Sequence, residues 1–587
     1  MLRIAEKDFL GKLLLAACAL ASVAITPKTT ADPINPIKMA IISIFGFAGF
    51  SLLLPNIRKL FYSGYKWVLI LTGLFVLVLG VGVATSGQNF NQEFFGVYGR
   101  NTGFVTYLSL SLLLLVATVA SSTNLIAKFL FTFVFVGALT TIYGYLQHFG
   151  IEPAGWVSPY NPIIGFLGNP DFNAAFLGMS IIAAVGLVFL ETVSLKIKIT
   201  LIPYTLLCLY LMKLSMVKQG FFVVAAGLGV FAISKLYFSK FRKFAFLIAL
   251  AAVFSMGLVL LALFNIGPLA NLLYKSSLTA RGYYWQAGWE MVTSHPILGV
   301  GLDNFGNWYR QSRSLDAYNW SPTQYTNSAH NVFIDIAASA GLLAFVMFII
   351  INLLALYSVF LFFRRSERID GAFVTLLSIW VGFNAQLFIS INQIGVSVWG
   401  WVASGLILGY GRIQPTLDSE NSNRDKGLIN RKKTKDSRNE TKLMPGTIIQ
   451  VTAGLTIGAI IGFPAYVGEA RYFKEMSSGD PIRIQNAAYI WPKNEQHFMQ
   501  VAETLRDNRA NTALAHPEMK VESIPDYSHL AMKVARDAVK HFPHSIYPYL
   551  LLRSIKDKST GESGMTPEED ILTQQKMKEL DPIAYNK

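Results

Sequence analysis

Charged residues are scarce in this sequence. Asp, Glu, Lys and Arg make up 14% of its 587 residues, whereas soluble domains carry about 25%. Hydrophobic residues make up 53%, and the mean hydropathy is +0.42. The apolar residues come in blocks of about 17–25, long enough for a helix to cross a hydrocarbon core of about 30 Å. The composition therefore predicts an all-α, polytopic membrane protein.

Cysteine is nearly absent as well. The two present, Cys18 and Cys208, both lie inside apolar blocks, where a thiol behaves as a small hydrophobic group. They exclude a disulfide framework and a thiolate metal site. The sequence also lacks metal-ligand spacings, obvious carboxylate pairs and the glycine patterns of Walker or Rossmann nucleotide sites. No metal and no cofactor are therefore expected.

Thirteen apolar blocks are predicted to span the membrane. A lone signal peptide is not expected, because a dozen further blocks follow the first one. The predicted spans lie near residues 10–26, 38–54, 66–84, 103–121, 127–147, 174–193, 199–213, 217–234, 244–265, 333–362, 371–390, 393–411 and 447–467. The predicted parts of the chain are an N-terminal bundle (1–265), a large loop (266–332), further spans (333–411), a basic loop (412–446), a last span (447–467) and a tail (468–587).

The basic residues indicate the orientation of these spans. With the N-terminus in the cytoplasm, the cytoplasmic connections contain clusters such as Lys196 and Lys198, or Arg364 and Arg365, whereas the 148–173 loop contains no Lys or Arg. Cytoplasmic loops of membrane proteins are enriched in Lys and Arg. The large loop and the tail are therefore predicted to be extracytoplasmic. The net charge of +15 is explained by topology, so nucleic acid is not an expected partner.

Two regions outside the spans have a distinct character. The stretch 412–446 is rich in Asn, Ser, Asp and Lys, which is typical of a disordered loop. The tail contains two stretches in which a helical pattern, a proline and a second helical pattern follow one another, with the prolines at Pro492 and Pro543. Tetratricopeptide hairpins have this pattern, but the copies lie 51 residues apart. A degenerate repeat and a plain helical tail both remain open.

The large polar loop carries the first candidate residues. His330 lies where the loop enters the tenth span, next to Asn331, and a neutral imidazole near the membrane surface can accept a proton from a hydroxyl around pH 6–7. Arg281 begins an aromatic stretch, and its guanidinium can bind a phosphate with two hydrogen bonds. Arg310 lies on the same loop. The Pro-Ile-Leu-Gly-Val-Gly stretch at 296–301 predicts a tight turn.

Two more basic residues lie next to spans on the predicted outer side. Lys218 begins the eighth span after a very short connection, and Arg100 precedes the fourth span in Gly-Val-Tyr-Gly-Arg-Asn-Thr-Gly at 96–103. Each is either a ligand for an anionic substrate or a side chain that extends to the lipid headgroups.

Taken in order, these pieces resemble the O-antigen ligase and O-antigen polymerase superfamily of bacterial inner-membrane proteins. The resemblance covers about residues 90–410. It rests on Gly-Val-Tyr-Gly-Arg-Asn-Thr-Gly at 96–103, Gly-x-x-Gly-Asn-Pro-Asp-Phe-Asn at 165–173, Val-Lys-Gln-Gly at 217–220, Arg281 with Trp285, the turn at 296–301 with Asn304, and Ala-His-Asn at 329–331 with Gly341.

The resemblance implies a fold like that of class C glycosyltransferases and a metal-independent glycan transfer. The donor would be a glycan on undecaprenyl diphosphate, and the acceptor a hydroxyl of a lipid, a glycan or a protein. Arg281 would bind the diphosphate and His330 would activate the acceptor. Arg100, Lys218, Arg310 and Asn331 would contribute to substrate binding. Lys218 stands where many members have Arg, so its role stays open.

Two other function classes are compatible with the sequence. A flippase for lipid-linked oligosaccharides would need charges within its spans and broken helices in matching halves, and few such charges are visible. A non-catalytic scaffold would tolerate replacement of His330. The resemblance favours the glycan transferase.

Overall fold

The computed structural model describes residues 2–156, 161–263, 276–411, 444–558 and 565–585, and within these ranges every regular element is a helix. In chain order the α-helices are α1 (Ile4–Val23), α2 (Asn35–Leu53), α3 (Ile57–Leu60), α4 (Lys66–Thr85), α5 (Phe90–Phe95), α6 (Phe104–Ala120), α7 (Thr123–His148), α8 (Pro170–Val188), α9 (Leu195–Leu214), α10 (Gln219–Tyr237), α11 (Arg242–Leu263), α12 (Ser276–Ser294), α13 (Phe305–Ser312), α14 (Leu315–Trp320), α15 (Val332–Arg365), α16 (Gly371–Ile389), α17 (Ile394–Tyr410), α18 (Pro445–Met476), α19 (Pro481–Ala487), α20 (Glu495–Ala515), α21 (Ser528–His541), α22 (Tyr547–Lys558), α23 (Pro567–Leu580) and α24 (Pro582–Tyr585).

Each predicted span coincides with one long helix, namely α1, α2, α4, α6 to α11 and α15 to α18. Among the described residues, eight helical stretches are long and apolar enough to cross a membrane, and one of them contains both α2 and α4. The apolar helices α6 and α17 are slightly shorter, and α1 and α11 are not among these stretches. The protein is an all-α, polytopic helix bundle, as the composition predicted.

The polar connections meet at one end of the bundle, which we call the loop face. It carries residues 24–34, 86–103, 276–331 and 390–393 together with the tail after α18. Contacts between distant segments define it: the Asn35 side chain donates to the carbonyl of Gly99 at 2.8 Å, and the backbone amide of Val97 donates to Asp303 at 2.7 Å. The segments that carry the proposed site are therefore neighbours in space.

The opposite end of the bundle carries basic residues used for the orientation. Lys128 forms an ion pair with Asp8 at the start of α1, and Phe238, next to the basic turn 240–243, stacks on Phe363 next to Arg364. Both contacts lie at the helix ends opposite those that reach the loop face. Which end faces the cytoplasm stays a prediction from the Lys and Arg distribution.

Close helix contacts fix part of the bundle. Gly454, Gly458 and Gly462 of α18 recur every four residues and face α2, where a Cβ on Gly458 would come within 2.6 Å of the Ile44 Cα. The Ser43 hydroxyl donates to the Gly458 carbonyl at 2.9 Å. Small residues at this spacing let helix backbones approach closely in a membrane. The last span is therefore packed against the second.

Helix α15 is interrupted at Gly341, where φ is +80°. The carbonyl groups of Ala338 and Ser339, just before the break, accept hydrogen bonds from Val300 and Gly301 at 2.9 and 3.0 Å. The 296–301 stretch is thus the tight turn that the sequence predicted. Its amides at 300 and 301 are bonded to α15, so they do not form a phosphate cradle.

The tail is helical, as expected, and folds back over the loop face. Helices α20 and α21 pack together around Phe498, Ala531 and Ala535, which are all buried. The amide of Asn89 donates to the His541 carbonyl at 3.1 Å. The tetratricopeptide interpretation stays a prediction. Residues 266–275 of the predicted large loop and 412–443 of the basic loop lie outside the described ranges.

Candidate functional site

His330 lies just before α15 in a backbone conformation with φ of +53°, which is uncommon for a residue with a Cβ. Its amide donates to the Ser328 hydroxyl at 2.9 Å. That hydroxyl in turn donates to Asp335 in the first turns of α15 at 2.7 Å. The local hydrogen bonds thus tie the loop to the helix and fix the position at which the imidazole leaves the backbone.

The imidazole of His330 is half-buried and packs against the ring of Tyr284 from α12, with ring centroids 5.6 Å apart. Burial and the positive charges of Arg100 and Arg281 lower the pKa of His330 to about 3. The sequence-based expectation of a titration near pH 6–7 is therefore wrong for the unliganded protein. His330 is a neutral imidazole next to two guanidinium groups.

Arg281 lies in α12, one turn before Tyr284. It is half-buried, and among the described residues neither a hydrogen bond nor an ion pair engages its guanidinium. Asp171, at the start of α8, lies close enough to act on it electrostatically. A buried charge that is not hydrogen-bonded is costly, so the guanidinium is available for an anionic ligand.

Arg100 is held by Asn327 of the large loop. Its guanidinium donates to the Asn327 backbone carbonyl at 3.3 Å and to the side-chain oxygen of the same residue. Asp303 and Asp335 both act on it electrostatically. These residues line a small cavity of about 30 Å³. Two carboxylates that looked unpaired in the sequence thus lie near the same arginine.

Asp303 connects this cluster to the 96–103 segment. Its carboxylate accepts hydrogen bonds from the Val97 amide and, at 3.0 Å, from the Thr102 hydroxyl. Burial raises the pKa of Asp303, while Arg100 and these hydrogen bonds oppose the rise. The segment at 96–103 and the turn at 296–301 are therefore one structural unit, although about 200 residues separate them.

A larger cavity of about 430 Å³ opens beside Arg100. It is bordered by the α1–α2 connection, by the Gly168-Asn169 turn before α8 and by residues 391–393 before α17. Its volume lies within the range of about 300–1,000 Å³ that is typical of ligand sites. The resemblance motifs at 96–103 and 165–173 thus border one cavity, which we call the Arg100 cavity.

Lys218 caps α10 and is exposed. Two residues further on, Gly220 packs against the carbonyl of Ala174 in α8, one turn after Asp171. Lys218 therefore lies at the same end of α8 as Arg281. No contact between Lys218 and either Arg281 or His330 is seen within the described part of the chain, so the structure places Lys218 at the edge of the group.

Asn331 and Arg310 have structural partners. Asn331 is buried and caps α15, since its side-chain oxygen accepts hydrogen bonds from the backbone amides of Phe333 and Ile334. Arg310 forms an ion pair with Asp581 of the tail at 3.0 Å. Asp581 also pairs with Arg313 at 2.7 Å. Substrate binding by Asn331 or Arg310 stays a prediction.

Sequence reasoning missed Asp171, Asp303 and Asp335 as neighbours of the arginines. The signal available was their position, since each lies in or beside a motif that carried the resemblance. Among the described residues, no three His, Cys, Asp or Glu side chains form a group that could hold a metal ion. The site as described consists of arginines, carboxylates and one neutral histidine.

One comparison with known proteins identifies part of this region. The family model described as O-antigen ligase (Wzy_C) matches residues 203–349, which include Lys218, Arg281, Arg310, His330 and Asn331. A search of curated proteins found no match. The chain therefore contains a region similar to O-antigen ligases, and this match supports the resemblance to the O-antigen ligase and polymerase superfamily.

Proposed function

We propose that this protein transfers an oligosaccharide or polysaccharide from undecaprenyl diphosphate to an acceptor hydroxyl, in the assembly of a cell-surface polysaccharide in a bacterial inner membrane. The observation that supports this most directly is the position of Arg100 and Arg281, whose charges both act on the neutral imidazole of His330. Cations beside a proton acceptor are what expulsion of a diphosphate and activation of a hydroxyl require.

The reaction forms one bond and breaks one. The acceptor oxygen bonds to the anomeric carbon, and the bond between that carbon and the diphosphate oxygen breaks. The electron pair of the broken bond leaves with undecaprenyl diphosphate, and the hydroxyl proton passes to the imidazole of His330. Negative charge grows on the leaving oxygen, where preorganised cations stabilise the transition state.

Arg281 is assigned to the diphosphate because its guanidinium has no bonding partner among the described residues and lies beside His330. Arg100 is hydrogen-bonded to Asn327 and also lines the Arg100 cavity, where its positive charge can attract the donor. Lys218, at the exposed edge of α10, is assigned to the approach of the anionic donor. The transfer is proposed to need no metal ion.

The experiment is glycan transfer by the purified protein in detergent. The donor is the lipid-diphosphate-linked glycan extracted from the source cells, and a flippase or a scaffold would show no such transfer. Arg281→Ala should lose roughly ten- to a hundredfold in rate, as expected for a charge-assisted contact worth about 1.5–3 kcal/mol. Arg281→Lys should recover only part of it, because an ammonium cannot form the two-pronged contact.

A matched control is Arg483→Ala, which removes an exposed arginine of the tail and should leave the rate unchanged. Lys218→Arg should be accepted and Lys218→Glu should not. Full activity of both Arg281→Ala and His330→Ala would refute the proposed site. Wild-type protein that cannot transfer glycan in detergent with any acceptor fraction would refute the proposed function.

A further inference from the structure

A second cavity lies between the tail and the large loop. Its volume is about 450 Å³, within the range of ligand-binding pockets. Three parts of the chain line it: residues 91–101, residues of the large loop between 310 and 327, and the tail from the end of α18 to Tyr547. We call it the tail cavity. It exists only because the tail folds back over the loop face.

The lining of the tail cavity combines aromatic rings with amides and carboxylates. The aromatic residues are Phe95, Tyr98, Tyr325 and Tyr547, and the amides and acids include Gln92, Asn494, Glu495 and Gln496. A sugar ring has an apolar face that stacks on an aromatic ring and a rim of hydroxyl groups that bind planar amides and carboxylates. This lining matches a saccharide, since aromatic side chains give apolar area and the polar groups give direction.

The charges of the cavity argue against a phosphate. Three carboxylates line it, from Glu469, Glu495 and Glu503. Of the basic groups, Arg310 is already paired with Asp581, and Lys493 lies 3.0 Å from the ring of His541. Both basic groups thus already have partners, so a diphosphate would lack the charge-assisted contacts that usually bind it. The ligand is therefore an uncharged or amino-bearing part of a glycan and not its lipid diphosphate.

A buried histidine in the wall has an unused nitrogen. His497 is only 2% exposed, and its ring lies flat on Tyr472 with centroids 3.6 Å apart. One ring nitrogen, Nε2, lies 3.0 Å from the carboxylate of Glu469, but neither Nε2 nor Nδ1 has a hydrogen-bond partner in the described part of the chain. Buried polar atoms are rarely left without a partner, and a ligand hydroxyl would supply one.

The tail cavity adjoins the proposed site. Tyr98 and Asn327 line both this cavity and the Arg100 cavity, and Asn327 is the residue that holds Arg100. A glycan whose reacting end lies beside Arg100 and His330 can therefore extend past Asn327 into the tail cavity. The two cavities are neighbouring parts of one path along the loop face.

We propose that the tail cavity is a saccharide-binding subsite that holds sugar units remote from the reacting carbon, with Tyr325 as a stacking platform. This rests on the proposed function. Tyr325 is half-exposed at the cavity wall, and its ring contacts Tyr547 edge-on at 5.1 Å. The tail thus contributes binding energy for the glycan and no group to the chemical step.

The test uses the full-length protein in detergent and the glycan released by mild acid from the lipid-linked donor of the source cells. Binding of this free saccharide is measured by saturation-transfer NMR and by titration calorimetry. Wild-type protein should bind it saturably. Tyr325→Ala should weaken binding tenfold or more, Tyr325→Trp should retain it, and Gln496→Ala should weaken it severalfold. Trp320→Ala, a similarly exposed aromatic on the same loop but outside the cavity, is the matched control and should bind as wild type.

Failure of this proposal and failure of the proposed function are distinguishable. Arg281→Ala should bind the free saccharide normally even though its transfer rate falls roughly ten- to a hundredfold. In transfer assays Tyr325→Ala should raise KM with kcat unchanged, and whether the KM of the donor or of the acceptor rises identifies which of the two carries the bound sugar. Absence of saccharide binding by the wild type, equal affinity in Tyr325→Ala, or Tyr325-dependent binding of a Ser- and Thr-rich peptide instead of the saccharide would overturn the proposal.

Discussion

The carboxylate of Asp581 accepts two hydrogen bonds from the guanidinium of Arg313, at 2.7 and 2.8 Å, across 268 residues of sequence. Both side chains are almost fully buried, and Arg310 adds a third charge to the pair. The guanidinium of Arg313 also donates to the carbonyl of Pro322 at 2.9 Å. This contact joins the tail to the large loop, which are the two segments that form opposite walls of the tail cavity.

Asp581→Asn is expected to release the tail from the loop face. It removes the negative charge that compensates two buried guanidinium groups, and breaking a buried ion pair in this way costs about 3–5 kcal/mol. Hydrogen exchange should rise in α23 and in residues 313–322 while the bundle helices stay protected. The control is Glu475→Gln, which breaks an exposed ion pair with Arg483 in the same tail and should change little. Unaltered exchange in Asp581→Asn would mean that apolar contacts alone hold the tail.

The predicted orientation can be measured with a membrane-impermeant maleimide on intact cells. Leu514→Cys lies on the tail, where Leu514 is 81% exposed, and should be labelled. Ser239→Cys lies at the exposed turn between α10 and α11, at the opposite end of the bundle, and should be labelled only after the cells are opened. The two natural cysteines are buried, so they give little background. The reverse pattern would invert the orientation derived from the basic residues.

The pH profile of transfer should not show His330 titrating in the free enzyme near neutrality. Its pKa is lowered to about 3 by burial and by Arg100 and Arg281, so the imidazole is neutral from pH 5 to 8. Because kcat/KM reports the free enzyme, its pH profile should show no inflection from His330 in this range. A bound diphosphate neutralises the charges of Arg100 and Arg281 and therefore raises the pKa of His330. Any inflection caused by His330 should then be seen in kcat, which reports the enzyme–substrate complex.

His330→Gln separates proton transfer from positioning. The amide can donate and accept hydrogen bonds but cannot carry the proton, and general-base help is worth about 10²–10⁴-fold, so transfer should fall by that order in both His330→Gln and His330→Ala. A kcat/KM inflection at pH 6–7 in the wild type that disappears in His330→Gln, or near-normal rates in His330→Gln, would contradict this assignment.

Glu93 should make the stability of the loop face depend on pH. Its buried carboxylate accepts hydrogen bonds from the Ser86 hydroxyl and the Leu302 amide, and burial raises the pKa of Glu93 from 4.5 to about 7. A raised pKa means that the folded state binds the proton more tightly, so this stabilisation is complete below pH 4.5 and is lost as the pH rises through 7. Between pH 5.5 and 8.5 the unfolding temperature of the wild type should fall more than that of Glu93→Gln.

The control for Glu93 is Glu579→Gln, an exposed carboxylate of the tail, which should follow the wild type at every pH. Unfolding temperatures in one detergent, read from intrinsic fluorescence, give the comparison. Parallel curves for the wild type and Glu93→Gln would show that the contact between Glu93 and Leu302 does not control unfolding.

The bundle could be predicted from the sequence almost helix by helix, because a membrane span needs about 20 apolar residues and each such block formed one helix. The break at Gly341 was not predicted. Block length does not reveal it, since it depends on the turn at 296–301 supplying amides to the carbonyls that the break leaves unpaired.

The site could be predicted in part. Arg100, Arg281 and His330 lie together, because the polar segments that carry them meet on the same side of the bundle. The closeness of Asp303 and Asp335 to Arg100, and the ion pair of Arg310 with Asp581, depend on contacts between segments that are distant in sequence. The low pKa of His330 likewise follows from burial and from two arginines in other segments. The ordinary pKa of a histidine side chain therefore predicted the wrong titration range for this residue.

The break at Gly341 divides α15 into two pieces that both contribute residues to the core of the bundle. The first piece, residues 332–340, is hydrogen-bonded to the turn at Val300 and Gly301 and begins directly after His330. The second piece, residues 342–365, packs into the bundle. The same turn also holds the second piece, because the Leu342 amide donates to the Pro296 carbonyl at 2.8 Å. The turn at 296–301 therefore bridges the break, and it connects the segment that directly follows His330 with the longer part of the helix.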